Sequence, residues 1–448
     1  MKRFPLVAGR TALACALAAS VVTAVAAPAL DDNARRLATQ RTGNGSVASI
    51  VIGIVEQGSE PAVYGFGSVA GRLPDGDTVY EIGSITKTFT ALLLAQQAAS
   101  GVLKLDDPVQ LLLPDYTIPA WQGQAITLRD LATQTSGLPR LPTGFTPPDM
   151  ANPYAAYGPA DLQAFLRGHR LARKPGASYE YSNLGFGLLG VALSAHAGKS
   201  YESLVRDHIT GPLGMPSTGV ALTPAMRARL APGHDSAGKP AGNWDFDTMA
   251  GAGAIRSTAS DMLRYLKMLM PAAVGSPYAL AVQRQRPAMP GTDIALAWHL
   301  SELRGTRIIW HNGMTGGYAS YAGVTADGKR GVVVLANTSF PIDDIAHAAL
   351  VSGARAVATV ALAPDVLASY TGKYQLAPGF VLSIQPLRQG LQVQAKGQPP
   401  FDAEATARDE FVVAAVEAQL VFKRNAAGSV ESVVLRQHGQ EMPGKRIE

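Results

Sequence analysis

The feature that most constrains this chain is a serine and a lysine three residues apart at the start of a long apolar segment. Ser84 and Lys87 follow the strand-like residues 79–83 and precede the apolar residues 88–99, which Gly101 ends. Because residues three apart share one face of a helix, the lysine amine is expected beside the serine hydroxyl. An apolar setting disfavours an ammonium, so this lysine could take a proton from the serine. The sequence therefore predicts a buried helix whose first turn carries a nucleophile and its base.

The first 27 residues have the form of a secretory signal peptide. A positively charged start, Met1 to Arg3, is followed by the apolar residues 11–25 and by small residues suited to cleavage. The apolar stretch is shorter than an ordinary membrane helix, so an uncleaved anchor is only the alternative. We expect a periplasmic or secreted protein that is not stably inserted in a membrane after cleavage.

Cleavage would change the charge and the cysteine content. The formal net charge of +5 would fall to +2, because Lys2, Arg3 and Arg10 lie in this segment together with Cys15, the only cysteine. The remaining basic residues form no cluster, which argues against a nucleic-acid partner. A mature chain without cysteine has no disulfide and no thiol chemistry.

Strand-like segments at both ends of residues 28–362 bracket a helical middle. Residues 106–269 have mainly helical and loop character, and a helix is expected at about 342–357. The strand-like segments are residues 49–56, 62–69, 307–310, 318–324 and 331–336. The simplest arrangement is an α+β fold, in which one antiparallel sheet built from both ends is flanked by helices and a helical lobe. We expect residues 28–362 to form the catalytic domain.

The last part of the chain, residues 363–448, has a different character. Short, often alternating apolar segments are separated by turn residues, and helical periodicity is absent; the segments are 380–384, 391–395, 420–423 and 430–436. This pattern predicts a small antiparallel β domain, either a barrel or a half-barrel.

A tyrosine and an asparagine form the second candidate motif, Tyr181-Ser182-Asn183, before the apolar residues 184–193. Asn183 could simply cap that helix, and Tyr181 could be a core residue. A phenol near Lys87 could instead be held as phenolate, take the serine proton and later protonate a leaving group. The asparagine amide could donate to a substrate carbonyl and accept from the lysine.

The third candidate motif is His311-Asn312-Gly313, expected at the end of a strand. The following residues 313–317 are lean in side chains, so a peptide-like substrate could pair with this bare strand edge. The Met314 N–H could form an oxyanion hole with the Ser84 N–H.

The three motifs together resemble the serine β-lactamase and penicillin-binding protein superfamily, and within it the class C β-lactamase-related branch. Members most similar throughout are D-alanyl-D-alanine carboxypeptidase/endopeptidases. Residues 370–374 resemble the start of the lipocalin-like β domain that some members carry. Further stretches typical of the branch are residues 81–84, 105–108, 126–131, 135–138, 212–215 and 313–318.

The resemblance implies acylation of Ser84 by a carbonyl substrate and hydrolysis of the acyl-enzyme by water. Lys87 and Tyr181 would share the base role, and Asn183 would orient the substrate. His311 would lie near the substrate carboxylate or the Tyr181 hydroxyl. True class C β-lactamases have lysine where this chain has His311, which implies a weaker, pH-dependent grip on a carboxylate.

Other chemistries lack their motifs. The sequence has no Gly-x-Ser-x-Gly nucleophile elbow and no metal-ligand spacing among its eight histidines, so neither metal nor cofactor is expected. The expected substrate is a peptidoglycan peptide, a β-lactam or an ester. The favoured hypothesis is a D-Ala-D-Ala carboxypeptidase/endopeptidase. The alternatives are a carboxylesterase, a weak class C-type β-lactamase, and a penicillin-binding or sensing module that is acylated without turnover.

Overall fold

The structure is a computed structural model that describes most of the chain after the first 26 residues. The described residues are 27–43, 45, 47–270, 277–289, 292–351, 359–377, 380–388, 390–395, 400–413, 418–437 and 440–448. The expected signal peptide lies outside them except for its last residue. Within these ranges, no helix has both the length and the apolar character needed to cross a bilayer.

Helices dominate the middle of the chain. The α-helices are α1 Asp32–Gly43, α2 Thr86–Ala99, α3 Val109–Leu112, α4 Leu128–Ala132, α5 Pro159–Gly168, α6 Asn183–Ala197, α7 Tyr201–Val205, α8 Pro224–Arg227, α9 Ala250–Gly253, α10 Ala259–Leu269, α11 Pro277–Val282, α12 Asp343–Leu350 and α13 Pro364–Ala368. A 3₁₀ turn, Gly83–Ile85, precedes α2, and a π-helical turn, Arg206–Thr210, follows α7.

Strands lie mainly at the two ends. Those before the C-terminal region are β1 Ser49–Glu56, β2 Ala62–Gly67, β3 Val79–Glu81, β4 Ala120–Trp121, β5 Gln124–Ala125, β6 Gly233–His234, β7 Pro240–Ala241, β8 Arg256–Thr258, β9 Arg286–Met289, β10 Thr292–Ile294, β11 His299–Leu303, β12 Thr306–Met314, β13 Ala319–Thr325 and β14 Arg330–Ala336. Those of the C-terminal region are β15 Gly372–Ala377, β16 Phe380–Leu387, β17 Gly390–Ala395, β18 Phe401–Ala407, β19 Glu410–Val413, β20 Ala418–Arg424, β21 Val430–Gln437 and β22 Gln440–Arg446.

One antiparallel sheet is built from both ends of the first domain, as the sequence predicts. Its order is β2-β1-β14-β13-β12-β11-β10-β9, and Ile50 of β1 pairs with Ala336 of β14. Successive β1 side chains point to opposite faces, so Val51 belongs to one apolar core and Ile52 to the other. The first core holds the helical lobe around α2 and α6, whereas the second lies under α1 and α12. The predicted α+β arrangement is confirmed, and β9 to β11 extend it beyond the predicted strands.

The helix that follows the tyrosine motif begins at Asn183, one residue earlier than it would if Asn183 were its N-cap. Ser182, not Asn183, is the N-cap of α6, and its hydroxyl accepts a hydrogen bond from the Gly185 N–H at 2.8 Å. The alternative role of Asn183 as the cap of this helix is therefore wrong. Because Ser182 satisfies the helix end, the Asn183 amide does not have to.

The C-terminal strands β15 to β22 form a closed antiparallel barrel. The barrel contains each segment that the alternating pattern predicts, together with β15, β18, β19 and β22, which the pattern did not reveal. Its interior is an apolar core that includes Tyr374, Phe411 and Phe422. The predicted small β domain is thus confirmed as a barrel, whereas the boundary at residue 363 stays a prediction.

A charged cluster joins the barrel to the second core of the first domain. Arg41 of α1 forms a buried ion pair with Asp344 of α12 at 2.7 Å, and the charges of Asp402 and Glu404 on β18 also act on Arg41. Burial raises the pKa of Asp402 to about 7; Arg41 opposes this rise, and the negative charges of Asp344 and Glu404 add to it. The Asp402 Oδ1 atom is buried without a hydrogen-bond partner among the described residues.

We predict that Asp402 contributes a loss of stability as pH rises from 5 to 8, and that Asp402→Asn removes this contribution. A carboxyl whose folded pKa is raised contributes stability that is full below its unfolded pKa, near 4, and is lost as pH rises through about 7. The asparagine variant should be more stable than wild type at pH 8, by on the order of 1 kcal/mol. Urea unfolding at both pH values measures this, with Asp365→Asn on the exposed start of α13 as control. Equal pH slopes for wild type and Asp402→Asn would contradict the prediction.

Candidate active site

The serine and lysine of the first motif are in direct contact. Ser84 lies in the 3₁₀ turn, Lys87 lies in the first turn of α2, and the Lys87 Nζ atom is 2.9 Å from the Ser84 Oγ atom. Gly83 has φ +48°, and a Cβ atom there would lie 2.8 Å from the Met314 nitrogen. A glycine is therefore required immediately before the serine, where the turn meets β12.

The Lys87 side chain is fully buried. It donates a hydrogen bond to the Ala252 carbonyl at 2.6 Å, and its amine lies 4.9 Å from the Tyr181 ring centroid. Burial lowers the pKa of Lys87 well below 10.5, and the positive charge of Arg140 lowers it further. In the described part of the chain, Lys87 forms no ion pair with a carboxylate. A neutral amine in this position can accept the serine proton.

Tyr181 and Asn183 lie at the start of α6. Burial raises the pKa of Tyr181 to about 12, although its interaction with Ser84 and the charge of Arg140 oppose the rise. The phenol is therefore protonated at neutral pH, which differs from the expected phenolate. Asn183 lines the cavity beside Ser84, and its Oδ1 atom has no hydrogen-bond partner within the described ranges. Asn183 and Lys87 form no hydrogen bond with each other, so the acceptance from the lysine that the sequence suggested is not seen.

Strand β12 runs past Trp310 to Met314, further than the sequence predicts. Its pairing with β11 ends at Trp310, so residues 311–314 present a free edge on that side, while β13 pairs with the other. A Cβ atom on Gly313 would lie 2.1 Å from the Ile82 carbonyl oxygen and 2.9 Å from the Ser84 nitrogen. The bare edge therefore packs against the nucleophile turn. The Ser84 and Met314 amides are adjacent to it, as an oxyanion hole needs, and that role stays a prediction.

His311 is buried behind the cavity. Its ring centroid is 6.4 Å from that of Tyr181 and 5.3 Å from that of His299, whose own ring nitrogen is 3.1 Å from the Tyr179 hydroxyl. Burial, His299 and Lys87 all lower the pKa of His311 well below 6.5. The imidazole is neutral at pH 7 and is not part of the cavity wall. It therefore supplies no positive charge for a substrate carboxylate at that pH.

An aromatic wall faces Ser84 across a cavity that opens to solvent. Tyr154, Trp244 and Phe246 form this wall beside Met249, and sequence reasoning missed it. The backbone N–H of Trp244 donates a hydrogen bond to the Glu81 carboxylate at 3.0 Å. In the sequence, the only indication of this wall is that two aromatic residues, Trp244 and Phe246, lie two positions apart. That spacing does not reveal that they face Ser84.

The sequence and structure are similar to those of proteins named as beta-lactamases and D-alanine carboxypeptidases. The Beta-lactamase family model matches residues 34–355. The chain is 35% identical over 202 residues to the D-alanyl-D-alanine-carboxypeptidase/endopeptidase AmpH of Escherichia coli K12, which covers 44% of this chain and 50% of AmpH. It is 30% identical over 298 residues to the human Putative beta-lactamase-like 1, covering 62% and 56% of the two chains. The chain thus spans about half the length of these two curated relatives.

Solved structures show the same architecture. A Beta-lactamase/D-alanine Carboxypeptidase from Yersinia pestis superposes with a TM-score of 0.58 at 26% identity, covering 68% of this chain and 93% of that one. A class C beta-lactamase superposes with a TM-score of 0.63 at 22% identity, covering 72% and 97%, and supports the fold alone. The barrel lies after the residues that the family model matches.

We predict that Gly313→Ala slows covalent modification of Ser84 by a fluorophosphonate probe about 100-fold. The added methyl group would push β12 away from the nucleophile turn, and displacements of about 1 Å at a reacting centre cost this much. Gly168→Ala is the control, because a Cβ atom there contacts nothing within 4 Å. A folded Gly313→Ala protein that reacts at the wild-type rate would show that the close approach is not needed.

Proposed function

Because the chain belongs to the beta-lactamase family of serine hydrolases, we propose that it hydrolyses peptidoglycan peptides as a D-Ala-D-Ala carboxypeptidase/endopeptidase through a Ser84 acyl-enzyme. The observation that carries this proposal is the buried Lys87 amine 2.9 Å from the Ser84 hydroxyl, next to a free strand edge. The amine supplies the base, and the edge supplies backbone groups that an extended peptide can pair with.

Acylation begins when the Ser84 oxygen attacks the substrate carbonyl carbon and its proton passes to Lys87. The negative charge that develops on the carbonyl oxygen is stabilised by the N–H groups of Ser84 and Met314. Tyr181, protonated in the resting site, gives its proton to the leaving amine and regains one from Lys87. The carbon–nitrogen bond breaks and the acyl group stays on Ser84.

Deacylation runs through the same groups in the opposite order. A water molecule attacks the ester carbonyl and gives a proton to the Lys87 and Tyr181 pair. The Ser84 oxygen leaves and takes that proton back, which restores the starting state. Asn183 orients the substrate through its side-chain amide at the cavity wall.

The neutral state of His311 supports a peptidase over an efficient β-lactamase, since that position holds no fixed charge for a β-lactam carboxylate. The AmpH relative carries the carboxypeptidase/endopeptidase name. A carboxylesterase is the second candidate, and the aromatic wall favours it, because Trp244 and Phe246 offer an apolar surface to an uncharged acyl chain. The remaining alternative, a penicillin-binding module that is acylated without turnover, is a binding protein and not an enzyme. The experiment below distinguishes it from the two hydrolases.

The form of residues 1–27 supports export to the periplasm or secretion, followed by cleavage. The catalytic region would then be residues 28–362 and the barrel region residues 363–448. The substrate is a small molecule or peptide, and nothing in the charge distribution supports a nucleic-acid partner.

We predict that Ser84→Ala abolishes hydrolysis of every substrate and leaves the fold intact, because one half-buried hydroxyl contributes little packing. Intact-mass spectrometry of the purified chain with muropeptides, a penicillin and a short-chain ester measures product and acyl adduct together. Wild type should release D-alanine and carry a transient penicilloyl adduct, and the variant should do neither.

The other outcomes separate the alternatives. A stable adduct without product indicates a binding module, and cleavage of the ester alone indicates an esterase. Turnover by Ser84→Ala, at a melting temperature equal to that of wild type, would overturn the mechanism.

A further inference from the structure

An exposed arginine lies beside the reacting groups. The Arg140 carbonyl accepts hydrogen bonds from the N–H groups of Asn183 at 3.0 Å and Leu184 at 3.3 Å. Its backbone is thereby fixed to the first turn of α6. The guanidinium carbon lies 5.0 Å from the Tyr181 ring centroid, the same ring that Lys87 approaches.

The guanidinium is not neutralised within the described part of the chain. It forms no ion pair and no side-chain hydrogen bond there, unlike the arginines paired with acids at Asp106, Asp130 and Asp344. Its positive charge acts on Lys87, Tyr179, Tyr181 and Tyr154, the last of which lines the cavity beside Ser84. An uncompensated cation here creates a positive potential where the substrate must sit.

The other basic groups of the site cannot play this part. Lys87 is buried and hydrogen bonded to Ser84 and the Ala252 carbonyl, and His311 is buried behind Tyr181. Arg140 alone of the three is exposed to solvent. A guanidinium remains charged at any physiological pH and offers two parallel N–H groups that match a carboxylate.

We propose that Arg140 binds a carboxylate of the substrate and makes the enzyme selective for anionic acyl donors. This proposal rests on the proposed function and deepens it, because it names the charge of the preferred substrate. Arg140 supplies the exposed positive charge that the buried His311 does not. It does so from the loop between α4 and α5, whose backbone is hydrogen bonded to the start of α6, so the carboxylate lies next to Tyr181.

The test compares substrates that differ only in one charge. One pair is a peptide ending in D-Ala-D-Ala with a free carboxylate and the same peptide with a C-terminal amide. A second pair places the difference in the acyl part, with glutamate in one peptide and glutamine in the other. The two pairs show whether the recognised carboxylate belongs to the leaving group or to the acyl group.

We predict that Arg140→Gln lowers the kcat/KM ratio of charged to neutral substrate about 10- to 100-fold in one of the two pairs, mainly through KM. Arg140→Lys should restore part of the ratio, because the charge returns without the paired N–H groups. Arg227→Gln, on the exposed end of α8, should leave the ratio unchanged. Equal losses on charged and neutral substrates, or no loss in either pair, would overturn the proposal.

The ratio of kcat/KM for charged and neutral substrates also distinguishes carboxylate binding by Arg140 from an effect of Arg140 on the pKa of Lys87. Because Arg140 lowers the pKa of Lys87, Arg140→Gln should shift the acidic limb of the pH profile upward for all substrates alike. Ratios measured on the plateau cancel this shift.

If wild type hydrolyses none of the peptides, the proposed peptidase function fails. The Arg140 proposal is then tested with two esters, an aryl hemisuccinate, which carries a carboxylate, and an aryl butyrate, which does not. The rates at which they acylate Ser84 are compared in wild type and Arg140→Gln. Equal effects of Arg140→Gln on these two esters, or no acylation by either, count against it.

Discussion

The burial of an amine without a partner acid is the constraint on which the site depends. An ammonium in a low-dielectric interior loses its hydration, and only a nearby anion or loss of the proton offsets that cost. Lys87 has no such anion among the described residues, so its pKa falls. The same burial raises the pKa of Tyr181 and lowers that of His311. One environment therefore places an amine with a lowered pKa, a protonated phenol and a neutral imidazole side by side.

The scaffold keeps this environment closed by holding the nucleophile turn from two sides. On the sheet side, the Ser320 hydroxyl of β13 donates to the Ile82 carbonyl at 2.8 Å. Gly313 of β12 packs so closely against both groups that a Cβ atom would not fit there. On the lobe side, the Ile82 N–H donates to the Ile255 carbonyl at 3.0 Å. The turn thus cannot move relative to either half without breaking buried hydrogen bonds, which fixes the position of the Ser84 oxygen.

Local pattern was enough to predict the parts of this site that depend on neighbours in sequence. The contact of Ser84 with Lys87 follows from helical spacing, and the barrel strands β16, β17, β20 and β21 follow from alternation. The protonation of Tyr181 does not, because it depends on burial by segments far away in the chain. The short strands β9 and β10 have no clear alternation to reveal them. The cap of α6 was missed by one residue, since serine and asparagine serve equally well.

Electrostatics explains why the site uses two different cationic residue types in two different places. A lysine loses its proton when buried, which suits a base, whereas a guanidinium keeps its charge and suits recognition of an anion. The positive charge of Arg140 also lowers the pKa of Lys87, so one residue serves both tasks without contacting the serine. A second fixed cation at position 311 would lie deeper, beside His299 and close to Lys87, and would have to be desolvated there. A neutral histidine avoids that cost, and it leaves the exposed arginine to meet the substrate.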